Sequence, residues 1–315
     1  MNTKTFGKKG WTPEKINSLE GKTYVITGAN TGTGFEASKI LLSKAATVVM
    51  LNRNEKKSTK AINRLKKQFG SNAKISFIKM DLAELASIRH AAKALIKQVP
   101  HINALICNAA VAQVAKQEFT TNGFESQLGI NHYGHFLLIN LLFGKVEQAN
   151  GRIVIVGSEG YKMGLKTIQF DDMNFNKNYH PNNTYCHSKL AQIMFAYKLQ
   201  DRIKTANKKV KVYVCHPGAS KTSLIKKDTS LITRISWSIL SNSPLVQSAK
   251  KGAYPEIMCA TEGNLKEKAY YGPTGIMNWI GPVDECEIES FVYNKIIADK
   301  LWSISEKETN CNWNF

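Results

Sequence analysis

Acidic residues are scarce in this chain. Its 315 residues hold 24 aspartates and glutamates against 43 lysines and arginines, a formal charge of +19. Such a surplus suits an anionic partner: nucleic acid, an acidic membrane or a phosphorylated cofactor. The positive residues are scattered, as at Lys56, Lys57, Lys66, Lys67, Lys208, Lys209, Lys226 and Lys227, and no aromatics interleave with them for base stacking. A lysine-rich solvated surface accounts for the charge, and no nucleic-acid partner is expected. Paired cysteine spacings are also missing. Cys107, Cys186, Cys215, Cys259, Cys286 and Cys311 form no CxxC, and several sit in apolar runs, the pattern of free thiols in a reducing compartment. The histidines show no HExxH or similar spacing, so no metal is expected. Apolar runs such as FLLINLLF at 136–143 fall well short of a membrane span. MNTKTFGKKGWTPEKI at the N-terminus lacks an apolar core of signal-peptide length, which reads as a cytoplasmic protein with no transmembrane segment. Without repeats or a Gly/Ser/Pro tract, one compact domain is expected over 1–315, with 1–20 as a lead-in.

What is present is an alternation of short β-rich runs and helical patterns. Strands are expected at 22–28, 46–53, 73–82, 102–110, 151–158 and 209–218. Helices are expected at 34–46, 54–69, 84–99, around 122–147, and through Tyr185 to about 206. The strands are continuously apolar, as in a parallel sheet covered on both faces. The fold class is therefore α/β, a doubly wound parallel sheet flanked by helices. After Gly218 the rhythm breaks. Residues 219–250 read as a lid over a substrate, 269–275 as a last edge strand and 286–306 as a closing helix.

VITGANTGTGFE joins the first strand to the first helix. Gly28, Gly32 and Gly34 permit a tight turn and let backbone amides approach a pyrophosphate at the helix N-terminus. Asn30, Thr31 and Thr33 fill the same turn. In that setting the glycine pattern is specific for a dinucleotide. The second strand ends in LNRN, without the acidic residue that binds a ribose 2′-OH. Arg53 stands there instead and suits a 2′-phosphate, so NADP(H) is expected over NAD(H). Asp81, followed by Leu82, ends the third strand and is a candidate for the adenine amino group, or simply the N-cap of the next helix.

TYCHSKLAQIM at 184–194 places Tyr185 and Lys189 at i and i+4, on one helix face. A carbonyl that accepts hydride develops negative charge on oxygen, and a donor must neutralise it. A free phenol has a pKa of about 10, and a nearby ammonium is expected to lower it. YxxxK alone is commonplace. With TGANTGTGFE, CNAAV, NHYGHFLLINLL, RIVIVGS, DDMNF, HPG, YYGPTG and LWSISE in order, the chain resembles the short-chain dehydrogenase/reductase superfamily, in its retinol-dehydrogenase-like branch. The resemblance implies a Rossmann-like fold and a catalytic tetrad. Tyr185 matches the acid/base, Lys189 its partner, Ser158 the hydroxyl that orients the carbonyl, and Asn131 the fourth member, holding a proton-relay water. It also implies that Asn108, Ala109, Pro217, Gly218 and Thr222 contact the cofactor, with the 217–218 turn facing the nicotinamide. His187 and Cys186 are read as packing.

Two departures from the family pattern stand out. Cys107 replaces an asparagine, and Ala110 a glycine that lies against the cofactor, which puts cofactor affinity in doubt more than activity. The apolar N-terminal anchor of animal members has no counterpart, which weakens retinoids as natural substrates. The expected activity is NADP(H)-dependent interconversion of a carbonyl and an alcohol. Leu224, Ile225, Leu231, Ile232, Ile235, Trp237 and Ile239 in the lid suggest a hydrophobic substrate. The alternative is a non-catalytic NADP(H)-binding regulatory or scaffold protein. A monomer or a homodimer fits either.

Overall fold

The computed structural model describes residues 5–221 and 243–315. Six apolar runs form parallel strands: β1 (Thr23–Thr27), β2 (Thr47–Asn52), β3 (Ile75–Lys79), β4 (Ala104–Cys107), β5 (Arg152–Val156) and β6 (Lys211–Cys215). They continue into β7 (Tyr270–Pro273) and β8 (Val283–Cys286), giving one eight-stranded sheet in the order β3-β2-β1-β4-β5-β6-β7-β8. All neighbours run parallel except β7 and β8. The continuous apolar runs follow from burial on both faces. Along β1, Val25 enters one core while Tyr24 and Ile26 enter the other, and along β5 Ile153 and Ile155 oppose Val154 in the same way.

Helices α1 (Gly32–Leu42), α2 (Glu55–Phe69), α3 (Leu85–Gln98), α4 (Gly134–Glu147), α5 (Pro181–Thr205), α6 (Tyr254–Thr261) and α7 (Lys295–Thr309) cover the sheet. One face carries α1, α2 and α6 through Ile40, Leu41, Leu65, Ile257 and Met258. The other carries α3, α4, α5 and α7 through Ile88, Phe136, Leu190, Phe195 and Trp302. Local signals agree with these bounds. Asn54 caps α2 by accepting from Lys57 N at 2.9 Å, and Pro181 opens α5 where a missing N–H does no harm. The C-terminal segment closes over α4 and α5. Trp302 and Trp313 lie edge-on to Phe136 at 5.4 and 5.9 Å between ring centres. Each such contact adds roughly 0.5–1.5 kcal/mol beyond area burial.

Three expectations need correction. The edge strand is β8, not 269–275. VDEC lacks the apolar continuity of the other strands, because Asp284 uses its carboxylate to accept from Phe6 N at 3.0 Å in the lead-in. The helix expected around 122–147 starts at Ser126 and runs on to Glu147, with a π-helical turn at Gly129–Tyr133 just before α4. Glycines permit close approach there: a Cβ on Gly129 would lie 2.5 Å from Thr120 Cγ2, and one on Gly134 2.7 Å from Leu82 O. The closing helix begins at Lys295, after a short 3₁₀ turn at Ser290–Tyr293. Of the expected lid, only 219–221 and 243–250 lie within the described residues, and its apolar candidates fall outside them.

Glu256 on α6 is 2% exposed, and neither carboxylate oxygen has a hydrogen-bond partner. Burial raises its pKa from 4.5 to about 8. The folded state therefore holds a proton that the unfolded chain releases, and stability falls as pH rises through that window, by roughly 1.4 kcal/mol per pH unit. The Glu256→Gln variant is expected to lose this dependence, so its advantage over wild type grows from about pH 5 to pH 8. Thermal unfolding across that range checks this, and parallel Tm curves would contradict it.

Candidate active site

The strand order reverses between β1 and β4, and a crevice opens at their carboxyl ends. Gly28 and Gly32 adopt φ of +67° and +60°, a region that side chains disfavour. A Cβ on Gly34 would lie 2.5 Å from Asn108 Nδ2 and 2.7 Å from Gly28 O. Asn108 ties the turn to β4: Nδ2 donates to Thr27 O at 2.8 Å, and Oδ1 accepts from Thr33 Oγ1 at 2.8 Å. Asn52 is also committed to this turn, accepting from Ala29 N at 2.7 Å. No side chain caps the first amides of α1 at Thr31. Gly28, Asn30, Thr31, Gly32 and Thr33 line a cavity of about 450 Å³. This cradle of amides at a helix N-terminus fits a pyrophosphate.

The same cavity is lined by Ser158, Tyr185 and Lys189. Ser158 follows β5, and its Oγ accepts from Gly160 N at 3.1 Å. Its hydroxyl also hydrogen-bonds Tyr185, which lowers the phenol's pKa, but burial outweighs this and pushes it up to about 12. Lys189 is 2% exposed, and burial lowers its pKa to about 7. Its Nζ donates to Val156 O and to Gln192 Oε1, both at 2.9 Å, and lies 5.9 Å from the Tyr185 ring centre. The expected lowering of the phenol by the ammonium is therefore not what this geometry gives. The ammonium donates to the end of β5, and desolvation dominates both groups.

Asn131 stands apart from the cavity wall. It is fully buried in the π-helical turn. Its Oδ1 accepts from Val111 N at 2.9 Å, and its Nδ2 donates to Val111 O at 3.0 Å and Ser188 Oγ at 2.9 Å. The amide ties the segment after β4 to α5. Its backbone carbonyl accepts from His135 Nδ1 at 2.9 Å, and His135 Nε2 meets Thr27 Oγ1 at 3.0 Å. One line of hydrogen bonds thus runs from the end of β1 to the tyrosine's helix.

Ala109, Pro217 and Gly218 line the cavity, and so does Ala110, whose added methyl faces it. Gly34 stands behind the turn. Arg53, with its side chain 67% exposed, lies 3.7 Å from Asp81 Oδ2. Asp81 also accepts from Ala83 N at 2.9 Å, but the N-cap of α3 is Glu84 rather than Asp81. Leu82 belongs to the hydrophobic core. Thr222 lies outside the described residues. His187 is a packing residue, its Nε2 accepting from Gln169 N at 3.1 Å and its ring edge-on to Phe175. Sequence reasoning missed Gln113, Glu159, Met163, Asn182 and Trp279 on the cavity wall. Two of these had a signal. Asn182 precedes Tyr185 by one helical turn, and Glu159 directly follows Ser158. Gln113, held at φ +55°, and Trp279 come from irregular segments that no periodicity marks.

Comparison with known proteins agrees with this geometry. Residues 22–231 match the family model for short chain dehydrogenase. Human retinol dehydrogenase 12 is 32% identical over 297 residues, covering 94% of this chain and 88% of that protein. Mouse retinol dehydrogenase 14 is 34% identical over 304 residues, covering 91% and 86% respectively. A crystal structure of an uncharacterised protein from Mycobacterium paratuberculosis superposes with a TM-score of 0.78 at 29% identity, covering 97% of this chain and 100% of that one. A short chain dehydrogenase from Salmonella enterica shares the fold, with a TM-score of 0.61 at 18% identity over 80% of this chain and 95% of its own. The chain belongs to the short-chain dehydrogenase/reductase family, in its retinol-dehydrogenase-like branch, and is an oxidoreductase of CH–OH groups that uses a nicotinamide cofactor.

Proposed function

We propose that this protein is an NADP(H)-dependent oxidoreductase interconverting a carbonyl and an alcohol, with Tyr185 as the acid/base. The observation that carries the proposal is the convergence of the glycine turn, Ser158, Tyr185 and Lys189 on one cavity. A bound nicotinamide dinucleotide supplies or accepts the hydride. The residues of the chain do the rest. The open amides of α1 hold the pyrophosphate. Ser158 Oγ, already within hydrogen-bond reach of the phenol, holds the substrate oxygen beside it. Tyr185, protonated across neutral pH because burial raises it, gives its proton to that oxygen during reduction. Lys189 holds the tyrosine's helix turn against β5. Asn131 fixes the frame through Val111 and Ser188.

The NADP(H) preference rests on the end of β2. No carboxylate stands there, and Asn52 already accepts from Ala29 N. Among the described residues, Arg53 pairs with Asp81 at 3.7 Å, an exposed pair of the kind that contributes little. Its guanidinium is free to turn to a 2′-phosphate. Met163 and Trp279 on the cavity wall favour an apolar substrate, in keeping with relatives named for retinol, itself an apolar alcohol.

The Tyr185→Phe variant is expected to lose roughly 10²–10⁴-fold in kcat while binding NADPH as wild type does. Turnover kept by that variant, measured as NADPH absorbance at saturating substrate, contradicts the assignment. Arg53→Asp is expected to cut the kcat/KM ratio of NADPH over NADH by at least about tenfold, as for losing a charge-assisted hydrogen bond of roughly 1.5–3 kcal/mol. Equal kcat/KM for the two cofactors in wild type would overturn the NADP(H) reading.

A further inference from the structure

Glu159 is a carboxylate set between the candidate active site and the turn that follows β6. It directly follows Ser158 and opens a 3₁₀ turn, Glu159–Lys162. Its Oε2 pairs with Lys162 Nζ at 2.9 Å. Its Oε1 is sealed from solvent, accepts no ordinary hydrogen bond, and faces His216 Nε2 at 3.5 Å. That distance is long for N–H···O, so the contact is a carboxylate against a ring N–H dipole. A side-chain hydrogen bond from Asn278 completes its surroundings.

His216 cannot turn away from this contact. Its ring is 1% exposed and stacks on Tyr270 at 4.8 Å. A Cβ on Gly272 would lie 2.0 Å from Nε2, so the ring occupies space that only glycine leaves. Tyr161, in the same short turn as Glu159, packs edge-on against Tyr270 at 5.8 Å. On its other side the ring meets the turn itself: Gly218 N donates to His216 Nδ1 at 3.3 Å. Nδ1 is therefore the acceptor, and Nε2 carries the proton in the neutral ring. The opposite tautomer would set Nδ1–H against the Gly218 N–H and a bare Nε2 against the carboxylate. Cys286 Sγ, also 3.5 Å from Nε2, is a weak acceptor that cannot replace Glu159.

The turn so held lines the cavity through Pro217, Gly218 and Ala219. Gly218 adopts φ +63°, and a Cβ there would lie 2.2 Å from Trp279 O. Trp279 O accepts from Ala219 N at 2.9 Å, so the Asn278–Trp279 segment clamps the turn from the side away from His216. Glu159 touches both jaws of the clamp, through His216 and through Asn278. With the pyrophosphate at α1, a dinucleotide across the sheet edge places one nucleoside over β2, near Arg53, and the other over β5 and β6, beside Ser158 and this turn.

We propose that Glu159 is a positioning residue for the nicotinamide half of the cofactor: its carboxylate fixes the His216 tautomer, and that tautomer fixes the Pro217–Gly218 turn. The proposal rests on the cofactor reading above. A role confined to general stability would weaken binding of every cofactor fragment alike, whereas this role acts on the nicotinamide half alone. The test compares NADPH with 2′,5′-ADP, which lacks that half. Glu159→Met, matched in length but without a charged acceptor, is expected to raise the NADPH Kd about tenfold and to change the 2′,5′-ADP Kd less than about twofold. Glu159→Gln, which keeps an acceptor, is expected to restore most of the NADPH affinity. Equal weakening of both ligands, or of neither, overturns the assignment. Should Glu159→Met not fold, the ¹⁵N shifts of the His216 ring in wild type decide. A protonated Nε2 and bare Nδ1 support the proposal, and the reverse tautomer overturns it. Wild type that binds 2′,5′-ADP and NADPH equally well, or binds neither, defeats the cofactor reading itself, an outcome distinct from an insensitive Glu159 variant.

Discussion

The hydrogen bond from Lys189 Nζ to the carbonyl of Val156 sets the geometry of the site. Burying an ammonium costs several kcal/mol unless fixed acceptors replace its water. The acceptors here are the last carbonyl of β5 and Gln192 Oε1, one turn along the same helix. Those two bonds tie α5 to the end of β5 in the rotation the structure shows. In that rotation Tyr185, one turn before Lys189, faces the cavity, and Ser158, two residues past Val156, meets it there. The phenol and the serine hydroxyl thus meet beside the strand end to which Lys189 is tied.

A second constraint joins this half of the site to the cofactor half. Thr27 ends β1, His135 lies on α4, Asn131 sits in the π-helical turn and Ser188 belongs to α5. A chain of hydrogen bonds between 2.9 and 3.0 Å links them in that order. Burial lowers the His135 pKa to about 4, which keeps its ring neutral, with Nδ1–H donated to Asn131 O and Nε2 accepting from Thr27. Asn131 supports the candidate site in this sense. It holds the segment after β4 and the helix of Tyr185 at one separation, so the glycine turn and the tyrosine keep their distance across the crevice.

Much of this was legible in the sequence, for a physical reason. Strands buried on both faces must be continuously apolar, so β1, β2 and β4 to β6 announce themselves. A turn that carries amides to a phosphate needs glycine at fixed places, so Gly28, Gly32 and Gly34 do too. The i, i+4 spacing puts Tyr185 and Lys189 on one face. What escaped were features set by tertiary contact. The edge strand β8 contains Asp284 and Glu285, which no strand pattern predicts. It pairs with β7 after a loop whose residues Met277 and Asn278 adopt positive φ. The pKa of Tyr185 could not be read from its spacing to Lys189, because spacing does not say that the ammonium turns toward Val156 O. The link between Glu159 and His216 joins residues that follow neighbouring strands far apart in the chain. It becomes visible only once β5 and β6 lie side by side.

The central claim is that the cavity at the carboxyl edge of this sheet reduces a carbonyl rather than merely holding a nucleotide. The most direct measurement is NADPH oxidation by the purified protein, followed by loss of absorbance, across a panel of aldehydes, ketones, quinones and retinaldehyde. The account predicts saturable NADPH consumption with at least one member of the panel. Tight NADPH binding with no consumption by any of them would contradict it and favour a non-catalytic nucleotide-binding protein.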